Sequence, residues 1–186
     1  FIQKDFINYH TKHYIASKTI VVVVGDCDVK TVETMIKKSF KDIKLGKSIS
    51  KKKVLPITGD KISVIKKITD QSHIVLGLKA PIMGHVDSKA FAVMTALLGQ
   101  GMSSRLFITL REELGAGYYV NASYNASNDT ADITISTGTE PKRISEVIKA
   151  IKLEIDRLTN ELVPEPELQK TKNYLIGNMY MGLESS

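Results

Sequence analysis

The sequence predicts an α+β fold, an antiparallel-rich sheet with helices packed on one side of it. Three observations carry that reading. Short β-branched or alternating segments at 61–68, 72–80, 118–127 and 131–137 are separated by turn residues, so the sheet is expected to hold at least four strands. Asn128-Asp129 joins the last two at hairpin spacing. Two apolar stripes of helical period then follow, one through Ile144, Val147, Ile148, Ile151, Ile155 and Leu158, the other through Leu168, Leu175, Ile176, Met179 and Leu183. Helices grouped against such a sheet form a layer of their own.

In chain order, residues 5–14 place Phe6, Tyr9, His10, His13 and Tyr14 at spacings that suit one face of a short helix. The β-branched run 19–24, stopped by Gly25-Asp26, reads as a buried strand. Asp28 can cap a helix that turns Val29, Val32, Met35, Ile36 and Phe40 inward. From 41 to 60 the chain is rich in Lys, Ser and Gly, contains Pro56 and keeps no period, which reads as a connector. Structureless stretches of that length are uncommon inside one domain. Residues 1–45 are therefore expected to belong to one unit, 46–60 to a linker and 61–186 to a second unit.

The second unit opens with the strands 61–68 and 72–80 around the turn Thr69-Asp70. After Pro81 and Gly84, Asp87 can cap a helix with Phe91, Met94, Leu97 and Leu98 inward, ended by Gly99 and Gly101. Ser103 or Ser104 can restart a helix through Glu112, and Gly115 and Gly117 turn the chain into the next strand. Thr139 or Glu140 starts the first long helix, and Pro164 with Pro166 separates it from the second.

At 186 residues, with 42% hydrophobic and 25% charged side chains, the chain can bury a real core. Its formal charge of +6 favours acidic partners. The lysines are dispersed, however, and the cluster Lys51, Lys52 and Lys53 has no aromatic residue interleaved, so no nucleic-acid partner is expected. A single cysteine, Cys27, excludes an internal disulfide and a thiolate metal cluster; its place after an apolar run suggests a buried or half-buried thiol. That run is too short to cross a bilayer, and the first residues carry no signal-peptide pattern. No membrane partner is expected, and a cytoplasmic location is.

His10 and His13 are spaced like half of a structural zinc motif but lack the cysteines that would complete it. His73 and His85 are isolated. Gly99-x-Gly101 follows a helix and lacks the Lys-Ser ending of a phosphate loop, so it reads as a corner between helices where glycine tolerates positive φ. Arg111 and Tyr118 are more informative, because one is a rigid five-donor fork and the other a rigid aromatic with one hydroxyl. Together they could hold the carbonyls or carboxylate of a peptide. Equally, Arg111 could pair with a nearby acid and Tyr118 could fill the core. Glu112 and Glu113 are adjacent and diverge on a helix, which suits no acid–base couple.

The stretch GQGMSSRLFITLREELGAGYYVNAS, beginning at Gly99, and DFINYHTKHYIASKTIVVVVGDCD with the following VKTVETMIKKSF, beginning at Asp5, resemble the insulinase-like (M16) zinc peptidase family, which includes pitrilysin and the mitochondrial processing peptidase. The first stretch is similar to the carboxy-terminal, non-metal-binding domain of that family, the second to the end of the preceding metal-binding domain. The resemblance implies a metallohydrolase-like homologous domain at 61–186, truncated at its end, and a parent protein that is a zinc-dependent metalloendopeptidase hydrolysing peptides. It implies that the zinc ligands lie outside this chain, so that no catalytic residue and no metal are expected in it. Arg111 and Tyr118 match the family's substrate-binding arginine and tyrosine, with Gly99, Gly101, Ser103, Ser104, Gly115 and Gly117 shaping the loop. Where the family more often has glycine-leucine-alanine-tyrosine, this chain has Gly115, Ala116, Gly117 and Tyr118, which should loosen the turn. The implied partners are an unstructured peptide substrate and the homologous metal-binding domain of the same or a partner chain. The alternative is a non-catalytic structural or partner subunit of the same family. An isolated fragment is expected to self-associate.

Overall fold

In the computed structural model the described residues are 1–47, 54–55 and 61–184. The chain forms two compact units, Phe1–Lys53 and Val54–Ser186. Most of the expected linker, including Lys51, Lys52, Lys53 and Pro56, lies outside the described residues.

In the first unit, helix α1 (Gln3–His13) is followed by a short 3-10 turn, Ala16–Lys18, and helix α2 (Val29–Ser39). The expected cap is in place: the Asp28 carboxylate accepts from the Thr31 amide at 2.8 Å and from its hydroxyl at 2.7 Å. Those bonds, the hydroxyl's first, hold the Asp28 pKa below its ordinary value. Among the described residues of this unit Ile15 alone is buried, against Gly46. The expected buried strand at 19–24 is not formed. Ile20, Val22 and Val24 are 88%, 76% and 92% exposed. A strand exists only through a ladder to a neighbour, and no described residue of this unit supplies one. For the same reason Cys27 is exposed rather than buried, since the run before it has no sheet to lie in.

The second unit contains strand β1 (Ser72–Lys79), helix α3 (Ser88–Gly99) and a single α-turn, α4 (Arg105–Phe107), that passes into a π-helical stretch, Ile108–Glu113. Strands β2 (Tyr119–Ala126) and β3 (Ala131–Thr139), a 3-10 turn at Pro141–Arg143 and helices α5 (Ile144–Asn160) and α6 (Glu165–Gly182) complete it. The sheet is antiparallel throughout, in the order β1-β3-β2. Ser127 donates its amide to Thr130 O at 2.8 Å, closing the expected Asn128-Asp129 hairpin. In register, Leu76, Ile135 and Ala122 form one row of the sheet and His73, Gly138 and Tyr119 another. The alternation of the pleat then sorts the faces. Ile133, Ile135 and Ala122 meet Leu98, Leu106, Leu110, Val147 and Ile151 in one core, so the helices lie on one side, as the α+β reading requires. The opposite face carries Asn121, Ser123, Asn125, Asp132, Thr134 and Ser136.

The described residues form a three-stranded sheet, not the four strands expected. Residues 61–68 join no ladder, and Ile62, Val64 and Ile65 are 79%, 78% and 80% exposed. Their composition suits a strand, but pairing depends on a neighbour that periodicity does not encode.

One ion pair and one hydrogen bond to a buried carboxylate bind the helical layer together. Arg105 grips Glu167 with two bonds, Nε to Oε1 at 2.7 Å and Nη2 to Oε2 at 2.8 Å, joining α4 to α6. Buried Glu154 on α5 accepts from Arg157 at 2.8 Å and from the Thr109 hydroxyl at 3.4 Å, joining α5 to the π-helical stretch. The Arg105 bonds hold the Glu167 pKa below its ordinary 4.5. A depressed carboxylate contributes stability that is full above the unfolded value and is lost as pH falls through the folded one. Glu167→Gln should therefore cost about 1–2 kcal/mol near neutrality, and the gap from the native protein should close as pH falls below 4.5. Urea titrations across pH test this; a gap that stays constant to pH 3 would refute the assignment.

Candidate functional site

Residues 99–118 run from the end of α3 to the start of β2, and three of their four glycines have distinct physical causes. Gly99 is still helical. A Cβ there would lie 2.6 Å from Ala122 Cβ and 2.9 Å from Ala122 N, so its role is the close approach of α3 to β2 and not a positive φ. Gly101 does have positive φ, +80°, and makes the corner the sequence suggests. Ser104, buried at the N-cap position of α4, donates its hydroxyl to Gly101 O at 2.8 Å and fastens that corner, while Ser103 is exposed.

The expected α-helix through Glu112 is instead π-helical from Ile108. The Leu114 amide reaches back to Thr109 O at 3.0 Å, and Ala116 and Gly117 both donate to Leu110 O, at 2.7 and 2.9 Å. Gly115, at φ +57°, makes that reversal possible. Wide turns of this kind are rare and recur at functional sites. Here the widening keeps Leu106 and Leu110 buried while the next residue, Arg111, is turned to solvent.

Arg111 is exposed, and its guanidinium carbon stands 5.2 Å from the centre of the Phe107 ring. Among the described residues no acid pairs with it. Tyr118 is 51% exposed and does not fill the core. Its amide donates to Gly138 O at 2.9 Å, which seats it just ahead of β2. The bond from Gly117 N to Leu110 O thus joins the backbone immediately before Tyr118 to the backbone immediately before Arg111. No hydrogen bond links their side chains among the described residues. Near Tyr118, Lys142 pairs with Glu140 at 2.8 Å; that bond first, with a smaller contribution from Tyr118, holds the lysine's pKa above its usual value.

One participant was invisible in the sequence. Arg143 donates to Leu114 O and Gly115 O from 28 and 29 positions downstream, and no motif or period relates residues so far apart. The histidines do not assemble. His10 stacks on Tyr14 and His13 on Tyr9, His73 Nδ1 lies 3.1 Å from Tyr119 Oη, and His85 Nδ1 accepts the Asp87 amide. Among the described residues no three of His, Cys, Asp and Glu come together as a metal-holding group. No helix among them is long and apolar enough to cross a membrane.

Residues 2–175 match the family described as the peptidase M16 inactive domain. The chain belongs to that family. An uncharacterized zinc protease of Rickettsia felis is 29% identical over 99% of this chain. A protease from Helicobacter pylori superposes over the whole chain with a TM-score of 0.79 at 26% identity. The peptidase M16 inactive domain from Pseudomonas fluorescens has the same TM-score over 97% of the chain at 20% identity, which speaks to the fold. The chain spans 44% of the Rickettsia relative and 46% of the Helicobacter chain. The resemblance to the carboxy-terminal, non-metal-binding M16 domain drawn from residues 99–123 therefore holds, together with the α+β fold.

The glycine assignments lead to a direct comparison by urea denaturation. Gly99→Ala should cost about 1–3 kcal/mol, because the clash is with backbone, and Gly115→Ala about 1–2 kcal/mol for its left-handed φ. Gly177→Ala, in α6 with nothing within 4 Å, should instead stabilise by about 0.5–1 kcal/mol. Equal effects at all three positions would contradict these roles.

Proposed function

We propose that this M16 inactive domain is the substrate-holding half of a zinc-dependent metalloendopeptidase. One observation carries the reading: Arg111 and Tyr118 are exposed, are not consumed by the core or, among the described residues, by an ion pair, and stand on backbone tied together at Leu110 and Gly117. A guanidinium fork and a phenol presented in this way suit the carbonyl oxygens of an extended peptide. They contribute orientation and require no proton transfer. An unstructured peptide is the fitting substrate, since a folded protein keeps its carbonyls in its own ladders.

The zinc in this proposal is held by a homologous metal-binding half, in the same or a partner chain, and the present residues act on the substrate alone. The names of the relatives support zinc proteolysis as the setting. We place the protein in the cytoplasm, where an exposed thiol such as Cys27 stays reduced.

In the full-length protein, Arg111→Ala should lower turnover of a quenched-fluorescence peptide about ten- to a hundredfold, and Tyr118→Phe several-fold, as loss of oriented hydrogen bonds predicts. Bound zinc, measured by metal analysis, should not change. Native turnover in both variants would remove the clamp role. Absence of peptide hydrolysis by the full-length protein would favour a partner-subunit role.

The isolated chain leaves Ile20, Val22, Val24, Ile62, Val64 and Ile65 largely exposed. It should self-associate, with light-scattering mass rising with concentration. A monomer at every dilution would argue against such a homologous half being needed to cover these residues.

A further inference from the structure

We infer that Arg143 is a positioning residue for the substrate clamp, fixing the turn 114–117 from which Arg111 and Tyr118 are presented. The inference deepens the reading above and rests on it. Arg143 ends the 3-10 turn before α5 and uses both edges of its guanidinium. On one edge, Nη1 donates to Gly115 O at 3.1 Å and Nη2 to Leu114 O at 2.8 Å. On the other, Nε and Nη2 donate to Glu146 Oε2 and Oε1 at 2.8 and 2.9 Å. Glu146 aims the fork, and its own pKa is held below the usual carboxylate value by those bonds.

The turn has few other means of being held. Residues 115–117 read Gly-Ala-Gly, and Ala116 alone among them is buried. A Cβ at Gly115 would meet nothing within 4 Å, so packing does not define the backbone there. From the inside, Leu110 O accepts Ala116 N and Gly117 N. From the outside, among the described residues, Arg143 is the side chain that hydrogen-bonds to residues 114–117. A helix ending leaves carbonyls without partners and a partial negative charge, and a cation donating to two of them answers both. Lysine, a point charge on a flexible stem, could not bridge two carbonyls and a carboxylate with the same geometry. The turn that its small side chains should have loosened is thereby fastened from outside by a guanidinium.

Such a role predicts changes in the order of the turn and in the use of substrate beyond any change in global stability. Arg143 is not itself a member of the core around Leu106, Leu110 and Ala116, and its bonds go to main-chain carbonyls and to Glu146, so the fold should survive its replacement. In the full-length protein, Arg143→Gln should quicken amide hydrogen exchange at 114–118 by about tenfold, with β3 amides unchanged. Arg143→Lys should fall between Arg143→Gln and the native protein. Peptidase kcat/KM should drop about tenfold or more in Arg143→Gln through misplacement of the clamp, and be partly recovered in Arg143→Lys. Glu146→Gln, which leaves the fork present but unaimed, should give a smaller effect of the same kind.

Native exchange at 114–118 in folded Arg143→Gln would overturn the inference. So would native kcat/KM in that variant alongside losses in Arg111→Ala and Tyr118→Phe, and the clamp reading would then stand without it. Faster exchange at 114–118 with native turnover in all three variants would instead remove the clamp reading, and the positioning role with it.

Discussion

The carbonyl of Leu110 is the point on which the candidate site turns. Its side chain is fully buried in the core beneath the sheet, while its oxygen accepts two amides from the far side of the glycine turn. One residue therefore belongs both to the rigid interior and to the exposed loop. A regular α-helix would spend that oxygen on the amide of residue 114. The π-helical stretch sends Leu114 N to Thr109 O instead, which frees Leu110 O for Ala116 and Gly117. The wide turn is thus not an isolated irregularity. It allows the chain to leave the helix, reverse at Gly115 and enter β2 while Ala116 and Gly117 stay bonded to Leu110.

The second constraint is distance between layers. Gly99 permits α3 to approach β2 at Ala122, and Ala122 lies in the central row of the sheet with Ile135 and Leu76. A helix end set that close fixes where Gly101 and Ser104 turn the chain, and hence where α4 begins. Arg105 then ties α4 to α6, and Thr109 with Glu154 ties the π-helical stretch to α5. Small side chains let the backbones approach, and charge-assisted bonds hold the pieces that approach leaves at the surface. Arg111 stands above this framework, restrained mainly by the Phe107 ring.

The sequence announced the parts of this framework whose causes are local. The Asn128-Asp129 hairpin, the apolar stripe of α5 and the Asp28 cap each depend on residues a few positions apart, and each is present; α6 forms as well, but Ile176 and Met179 of its expected stripe are 49% and 59% exposed. Residues 19–24 and 61–68 have the composition of strands and form none, because a strand is a relation between two segments and neither run finds a partner among the described residues. The error at Cys27 follows from the same source. Gly99 was recognised as special for the wrong reason: its neighbour Ala122 is distant in sequence, so a steric requirement looked like a conformational one. Arg143 gave no signal, since its carbonyl partners lie 28 and 29 residues earlier.

These failures bear on how a binding loop is built. Under the proposed substrate-holding role, small residues in the turn would leave room for an extended peptide where bulk would exclude some of its side chains. Gly115, Ala116 and Gly117 are small in that way and, by the same smallness, give up the packing that would hold them still. Rigidity must then be supplied by directional bonds from outside the segment, to the main chain and not to side chains. Leu110 O from beneath and the Arg143 fork from above meet that requirement, and the guanidinium keeps its donors because it is not deprotonated in ordinary solution. The residues that present a site are thus readable as a motif, whereas those that steady it are free to come from anywhere in the fold.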